Sequence, residues 1–359
     1  AGIWLDMPNI RSMKTSLRIV APDIHAGDAV GNHCIHLAQD LSAAGFPAVL
    51  HAQRSTSLEV PVLPLEALFD QAQAGDRLLV SYSIHDPYLE QLLAMPQRKA
   101  CYFHGVTPPE LLREHEPVTA DLCARSALQF PLLARFDLLL FNSEYNRRDL
   151  SAYIDTSRGI VIPPISPSFK LFSWPEVHRV GGGDPVILVL GRVVPHKRIE
   201  QAIELTAMLH KRGCIARLEV VGPCSNDGYR THLNQMIEAL GLSAYVQMRG
   251  MVDEEALQGC YARASVLLST SEHEGFCVPV LEAMHLGVPV VVRQGTAAVE
   301  VGGNAVLAFS TADEAAGQLH RVLNDQGVRD ELVKLGRERA SAMIRQASVD
   351  IWIPLLERL

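Results

Sequence analysis

No run of apolar residues in this 359-residue chain reaches the ~18 that a membrane span needs. A basic-then-apolar leader segment is also missing. The chain has no excess of positive charge. Its formal net charge is −8, which argues against nucleic acid as the main partner, since phosphate backbones select basic surfaces. Seven cysteines are present, none in C-x-x-C spacing. Reduced thiols and a cytoplasmic setting are therefore expected, with neither a zinc site nor a disulfide frame. D-x-D, a spacing that often holds a divalent ion on a nucleotide sugar, does not occur. No metal site is expected.

What the chain does have is apolar content, 48% by residue, enough for a core in each of about two domains. Residues 1–12, AGIWLDMPNIRS, precede MKTSLRIVAP and read as an expression scar or tail. Short apolar runs then alternate with amphipathic stretches. LRIVAP, PAVLHA, RLLVSYS, KACYFHG, DLLLFNS and GIVIP are strand candidates. His33–Gly45 and Ala120–Phe136 are helical between them. Runs of four to seven apolar residues without polar alternation suit strands buried on both faces, and the alternation implies parallel crossovers. A proline- and glycine-rich stretch, Ile162–Pro185, interrupts the pattern, which then restarts with PVILVLG, ARLEVVG, YVQMRG, SVLLSTS and VPVVVRQ. The expectation is an α/β protein of two Rossmann-like, doubly wound parallel-sheet domains facing a central cleft. Their bounds are set at 13–165 and 185–345, with a linker over 166–184. The segment 346–359 is expected to pack back on the first domain.

Doubly wound sheets bind ligands beyond the carboxyl ends of their strands, so strand-end loops are where chemistry is sought. In SEHEGFCVPVLEAM, Ser271–Met284, a glycine, an aromatic and a proline lie among three carboxylates. Pro279 fits the first turn of a helix, which places the backbone N–H groups of Phe276, Cys277 and Val278 at its mouth, an anion site. Gly275 permits a tight loop. Glu274 and Glu282 would repel a phosphate but can accept from sugar or ribose hydroxyls, at roughly 1.5–3 kcal/mol per charged hydrogen bond. Upstream, GRVVPHKR puts Arg192 and Lys197 after a strand, where two cations can neutralise a diphosphate without a metal. VVGPCSNDGY ends a strand at Gly222, and RGMVDEEAL presents Met251 and Val252 for a base edge, with Asp253 as a helix N-cap. Taken singly, each of these loops also fits an ordinary strand-to-helix turn.

GRVVPHKR, VVG and the run from RGMVDEEAL to HLGVPVVV, in that order and spacing, resemble the carboxyl-terminal domain of retaining GT-B glycosyltransferases, in particular glycosyltransferase family 4 (glycosyl transferases group 1). Two glutamates with seven residues between them are that family's signature. The resemblance is close over Pro185 to about Phe309 and loose over the first half. It implies that Arg192 and Lys197 hold the donor diphosphate, that Glu274 contacts hydroxyls of the transferred sugar, that Glu282 binds the ribose, and that Phe276 to Val278 cap sugar and phosphate. Cys277 departs from the glycine common at its position. On the amino-terminal side the resemblance implies a glycine-rich loop, here Gly27 and Asn32 without the usual double glycine. It also implies a histidine at the reaction centre, here His104. Ser143, Asp86 and His85 are candidate acceptor-side contacts.

The implied reaction moves a hexose, mannose slightly favoured, from a GDP- or UDP-sugar to a hydroxyl of a saccharide or lipid-linked saccharide, with retention. No cofactor is implied. Bacterial surface polysaccharide synthesis and peripheral contact with the inner face of the cytoplasmic membrane belong to the same expectation. Two other readings stay open: a nucleotide-sugar epimerase or hydrolase on the same plan, and a nucleotide-sugar-binding subunit that has lost catalysis.

Overall fold

The computed structural model describes residues 16–56, 60–165 and 183–359. The tail at 1–12 and all but the last two residues of the 166–184 linker lie outside these.

Two parallel sheets carry the chain. The first contains β1 (Leu17–Ile24), β2 (Ala48–Ser55), β3 (Val62–Pro64), β4 (Arg77–Tyr82), β5 (Arg98–Phe103), β6 (Leu138–Phe141) and β7 (Ile160–Val161), in the spatial order β3-β2-β1-β4-β5-β6-β7. The second contains β8 (Val186–Leu190), β9 (Arg217–Val221), β10 (Val246–Gly250), β11 (Val266–Ser269), β12 (Val290–Arg293) and β13 (Val306–Phe309), in the order β10-β9-β8-β11-β12-β13. Each order reverses once, between β1 and β4 and between β8 and β11. A crevice opens where neighbouring loops leave in opposite directions, and ligands settle there.

The strands form where apolar runs meet helices on both faces. Ile187, Val291 and Phe309 pack on one side of the second sheet, and Leu188, Val290 and Val292 on the other. The first sheet divides in the same way, with Leu79 and Tyr102 on one face and Val80 and Phe103 on the other. The long helix Gln326–Gln346 packs along the short helix Val278–His285 and brings Gly336 against Met284. This fixes the helix that carries Glu282.

After that long helix the chain returns to the first sheet. Helix Val349–Glu357 contacts helix Ala29–Ala43, and Trp352 is buried with Leu17, Ile19 and Tyr102. Pro354 lies inside this helix. Among the described residues, no helix is long and apolar enough to cross a membrane.

Candidate active site

At the crevice of the second sheet, the loops after β8 and β11 face each other. The β8 loop turns through a short 3₁₀ segment, Pro195–Lys197, and Arg198 then takes a left-handed conformation, φ 51°, before helix Ile199–Lys211 begins. This turn places Lys197 Nζ 2.6 Å from Glu274 Oε1. The turn is tied down by Thr270 Oγ1, which donates to Lys197 O at 2.8 Å, and by Glu272 N–H, which donates to His196 O at 2.7 Å. A pocket at this point is lined by Gly191, Arg192, Lys197, Ser269, Thr270 and Ser271. Arg192 is exposed at its mouth and has no ion pair among the described residues.

Glu274 is buried, at 8% exposure. Burial works against its charge, yet Lys197, with Ser271 and His196 adding to it, holds the carboxyl below its ordinary value. His196 and His273 flank the pair. Burial first, and then Lys197, depress the His196 imidazole to about 3. Burial likewise lowers His273 to about 4, so both are neutral near pH 7. The local charge is therefore one buried carboxylate against one partly exposed ammonium, with the exposed Arg192 guanidinium beside them.

Phe276, Cys277 and Val278 lead into helix Val278–His285, with Pro279 in its first turn. Cys277 is the N-cap at φ 72°, a left-handed conformation that favours glycine. Its thiol is buried, and burial raises its pKa. The sulfur turns inward among the packed residues of this domain. Glu282 is buried one turn further on, and Tyr261 Oη–H donates to its Oε2 at 2.6 Å. The strand-end glycines also interlock. Gly191 N–H donates to Val221 O and Gly222 N–H to Gly250 O. A Cβ on Gly222 would lie 1.9 Å from Gly191 O, so only glycine fits there. Met251 is exposed beyond β10, while Val252 packs partly into the core. Asp253 caps helix Glu254–Arg263, accepting from Ala256 N–H at 2.8 Å.

The opposing wall comes from the first sheet. His104, just past β5, is buried with its Nε2 2.7 Å from Ser81 Oγ. Burial depresses it to about 3. The His104 ring packs near Tyr102 and His33, and both of these stand against Trp352. What His104 presents to the second domain is its carbonyl, 2.1 Å from where a Cβ on Gly275 would sit. Gly27 adopts φ 87°, and a Cβ there would lie 3.9 Å from Met251 Cε, so this loop reaches the cleft. Asn32 serves the loop itself, accepting from Gly27 N–H at 2.9 Å. Ser143 Oγ–H donates to Gly275 O at 2.7 Å, a bond from one domain to the other.

Asp86 stands apart from these. It is 1% exposed and accepts from Tyr88 N–H at 2.8 Å, while its backbone is clamped on both sides by Gln129. Burial raises its carboxyl to about 6. The acidic loop after β4 looked like an acceptor contact, but the carboxylate points into the protein and closes a turn. His85, beside it, remains partly exposed.

Three residues at the site carry no local sequence signal. Glu300 accepts from Glu144 N–H at 2.6 Å and from Tyr145 N–H at 2.7 Å, capping helix Glu144–Leu150 from the other domain. Asn146 bonds Gly275, and Tyr261 bonds Glu282. On the far side of the cleft, Asn226 Nδ2–H donates to His115 O at 2.6 Å, and the rings of His115 and Tyr229 lie 5.1 Å apart.

Residues 172–339 match the family described as glycosyl transferases group 1. Over these residues the chain is similar to that family. The chain is 28% identical over 237 residues to D-inositol 3-phosphate glycosyltransferase of Nocardiopsis dassonvillei, covering 61% of this chain and 55% of that protein. It is 26% identical over 239 residues to MMP alpha-(1->4)-mannosyltransferase of Mycolicibacterium hassiacum, covering 64% and 54%. It thus spans about half the length of these curated relatives. Among solved structures, Anabaena HepE in complex with UDP superposes with a TM-score of 0.70 at 17% identity, over 96% of this chain and 100% of that one. The fold is GT-B, two Rossmann-like domains as the sequence suggested, and the residues that match the group 1 family contain both the β8 and the β11 loops.

Proposed function

We propose that the protein is a retaining hexosyltransferase that uses a nucleoside-diphosphate hexose as donor and a saccharide or lipid-linked hydroxyl as acceptor. The observation that carries this reading is the Lys197–Glu274 pair at the crevice between β8 and β11, with exposed Arg192 at the same mouth. One cation and one acid within 2.6 Å are the parts needed to hold a diphosphate and the alcohols next to it. The domain division at 13–165 and 185–345 belongs to the same proposal.

On this reading Arg192 and Lys197 bind the two phosphates, helped by the amides of Phe276 to Val278. Glu274 accepts from hydroxyls of the hexose, and Glu282 from the ribose. Gly222, Met251 and Val252 border the base, and Gly27 approaches the phosphates from the opposite loop. The acceptor hydroxyl attacks the anomeric carbon on the face that the diphosphate leaves. The bond from that carbon to the phosphate oxygen breaks, and the acceptor proton passes to the departing phosphate. Lys197 and Arg192 meet the charge that grows on the leaving group, so two side chains do the work that a divalent ion would otherwise do. His104, neutral and buried, shapes the acceptor wall without carrying a charge to it.

The name of the mannosyltransferase relative supports a mannose donor, and the UDP complex of the structural neighbour supports UDP as the nucleotide. A place in bacterial surface polysaccharide synthesis, at the inner face of the cytoplasmic membrane, completes the proposal. A thermal-shift panel of GDP-mannose, UDP-glucose and their free nucleotides tests it. A donor at 100 times its Kd stabilises the folded state by about 2.7 kcal/mol. One sugar nucleotide should raise the melting temperature clearly above the others, and the sugar it transfers should keep its anomeric configuration by NMR. A flat panel, or an inverted product, contradicts the proposal.

A further inference from the structure

Asn146 is 0% exposed and stands where three segments meet. Its Nδ2 donates to Gly275 O at 2.9 Å across the cleft and to Asn142 Oδ1 at 2.6 Å in its own domain. Those two acceptors decide which end of the amide is nitrogen. Its Oδ1 is buried without a hydrogen-bond partner among the described residues. That oxygen fills the space beside Gly105, where a Cβ would lie 2.4 Å away. Asn142 Nδ2 donates to His104 O at 3.3 Å, and His104 O is the atom that excludes a Cβ from Gly275. The loop after β5, the start of helix Glu144–Leu150 and the acid loop of the second domain therefore close on one amide.

Gly275 O accepts twice, from Asn146 Nδ2 and from Ser143 Oγ, so its direction is set from the opposite domain. A peptide unit is planar, so the Phe276 N–H on the far edge of the same plane is set with it. That amide is one of those at the mouth of helix Val278–His285. We propose that Asn146 is a positioning residue: with Ser143 it locks the Gly275–Phe276 peptide. A donor-side amide is then aimed correctly only when the two domains meet. The cleft assembles its charge-stabilising edge on closure, and an open molecule binds the nucleotide without turning it over. This inference rests on the reading of the cleft as a nucleotide-sugar site.

The test compares wild type with Asn146→Asp, Asn146→Ala and Ser143→Ala. The measurements are UDP and GDP affinity by calorimetry, release of nucleotide from UDP-glucose and GDP-mannose, and melting temperature. Asn146→Asp keeps the shape but turns an oxygen on the Gly275 carbonyl. It should lower turnover roughly a hundredfold while nucleotide affinity stays within about twofold. Ser143→Ala leaves one donor on the carbonyl but also removes the helix cap that accepts from Asn146 N–H at 3.1 Å. It should lose roughly tenfold in turnover with a small fall in melting temperature and unchanged nucleotide affinity. Turnover near wild type in Asn146→Asp overturns the inference, as does wild-type turnover in a well-folded Ser143→Ala. A parallel fall of affinity, turnover and melting temperature in all three variants also overturns it, because it marks a merely structural role. Lys197→Ala separates the two readings. If it too retains turnover, the donor-site reading fails. If it is inactive while Asn146→Asp is not, only the positioning role fails.

Discussion

Lys197 Nζ and Glu274 Oε1 stand 2.6 Å apart, so the proposed phosphate ligand and the proposed sugar ligand hold each other. The partly exposed ammonium gives the buried Glu274 carboxylate a partner, without which its charge would be costly. The pairing also means that a donor must divide them, the diphosphate drawing off the ammonium while sugar hydroxyls take over the carboxylate.

Lys197→Ala and Glu274→Ala are each expected to lose two to three decades of turnover, as for removal of a contact made to developing charge. Lys197→Ala should in addition raise the Glu274 carboxyl. In wild type that carboxyl titrates below its unfolded value. Its contribution to stability is therefore present above the unfolded value and is lost as pH falls through the folded one. Kinetics of both variants, with acid titrations of their melting temperatures, check this. Wild-type rates in either variant contradict the assignment.

Asp86 gives an opposite pH dependence. Its folded carboxyl titrates near 6 against an ordinary 3.8. Between those values the folded protein holds a proton that the unfolded chain has released, so this group's contribution falls as pH rises through the window. Asp86→Asn can still accept from Tyr88 N–H and carries no buried charge. It should stabilise the protein at pH 7.5 by on the order of 1–3 kcal/mol and have little effect below pH 4. Denaturant melts at the two pH values measure the difference. A variant destabilised at both would show that the carboxylate does more than close its turn.

Cys277 sits at φ 72° with its sulfur packed inward. A left-handed conformation costs an L-residue about 1–2 kcal/mol, which glycine escapes. Cys277→Gly and Cys277→Ala lose the same sulfur, so their comparison isolates the backbone. Glycine should be the more stable by about 1 kcal/mol, the reverse of the usual order in a helix or strand. Equal melting curves would show that the loop relaxes out of this conformation.

Trp352 ties the last helix to the first sheet, fully buried against His33 and Tyr102. Trp352→Ala should destabilise the amino-terminal domain by about 3–5 kcal/mol. It should also loosen the packing behind His104. Hydrogen exchange resolved by domain reads this out: β1 and β5 should lose protection while β8 and β11 keep theirs. Uniform loss across both sheets would contradict the placement of this helix as part of the first core.

Much of this architecture was legible because buried parallel strands leave short unbroken apolar runs such as VILVL and VVV. The loops that carry Arg192, Lys197, Glu274 and Glu282 also stand out in the sequence by their local spacing, and the structure brings Lys197 and Glu274 together. What joins the two halves was not. Asn146 reaches Gly275 from 129 residues away, and Glu300 reaches Glu144 from 156, and no periodicity or turn signal marks such pairs. Asp86 misled for the converse reason. It was placed among acceptor-side candidates from its position in a strand-end loop, and only the packing of Gln129 against its backbone shows that the turn is folded under. His104 was legible as a loop residue, but the contact it makes with the other domain is through its carbonyl, which any residue type would supply.

The most direct measurement is a crystal structure of the protein with an intact sugar nucleotide or a non-hydrolysable analogue. The account predicts the diphosphate on Arg192 and Lys197, with the ammonium moved off Glu274, a hexose hydroxyl on Glu274 and the ribose on Glu282. A donor bound elsewhere, with the Lys197–Glu274 pair still closed, would contradict it.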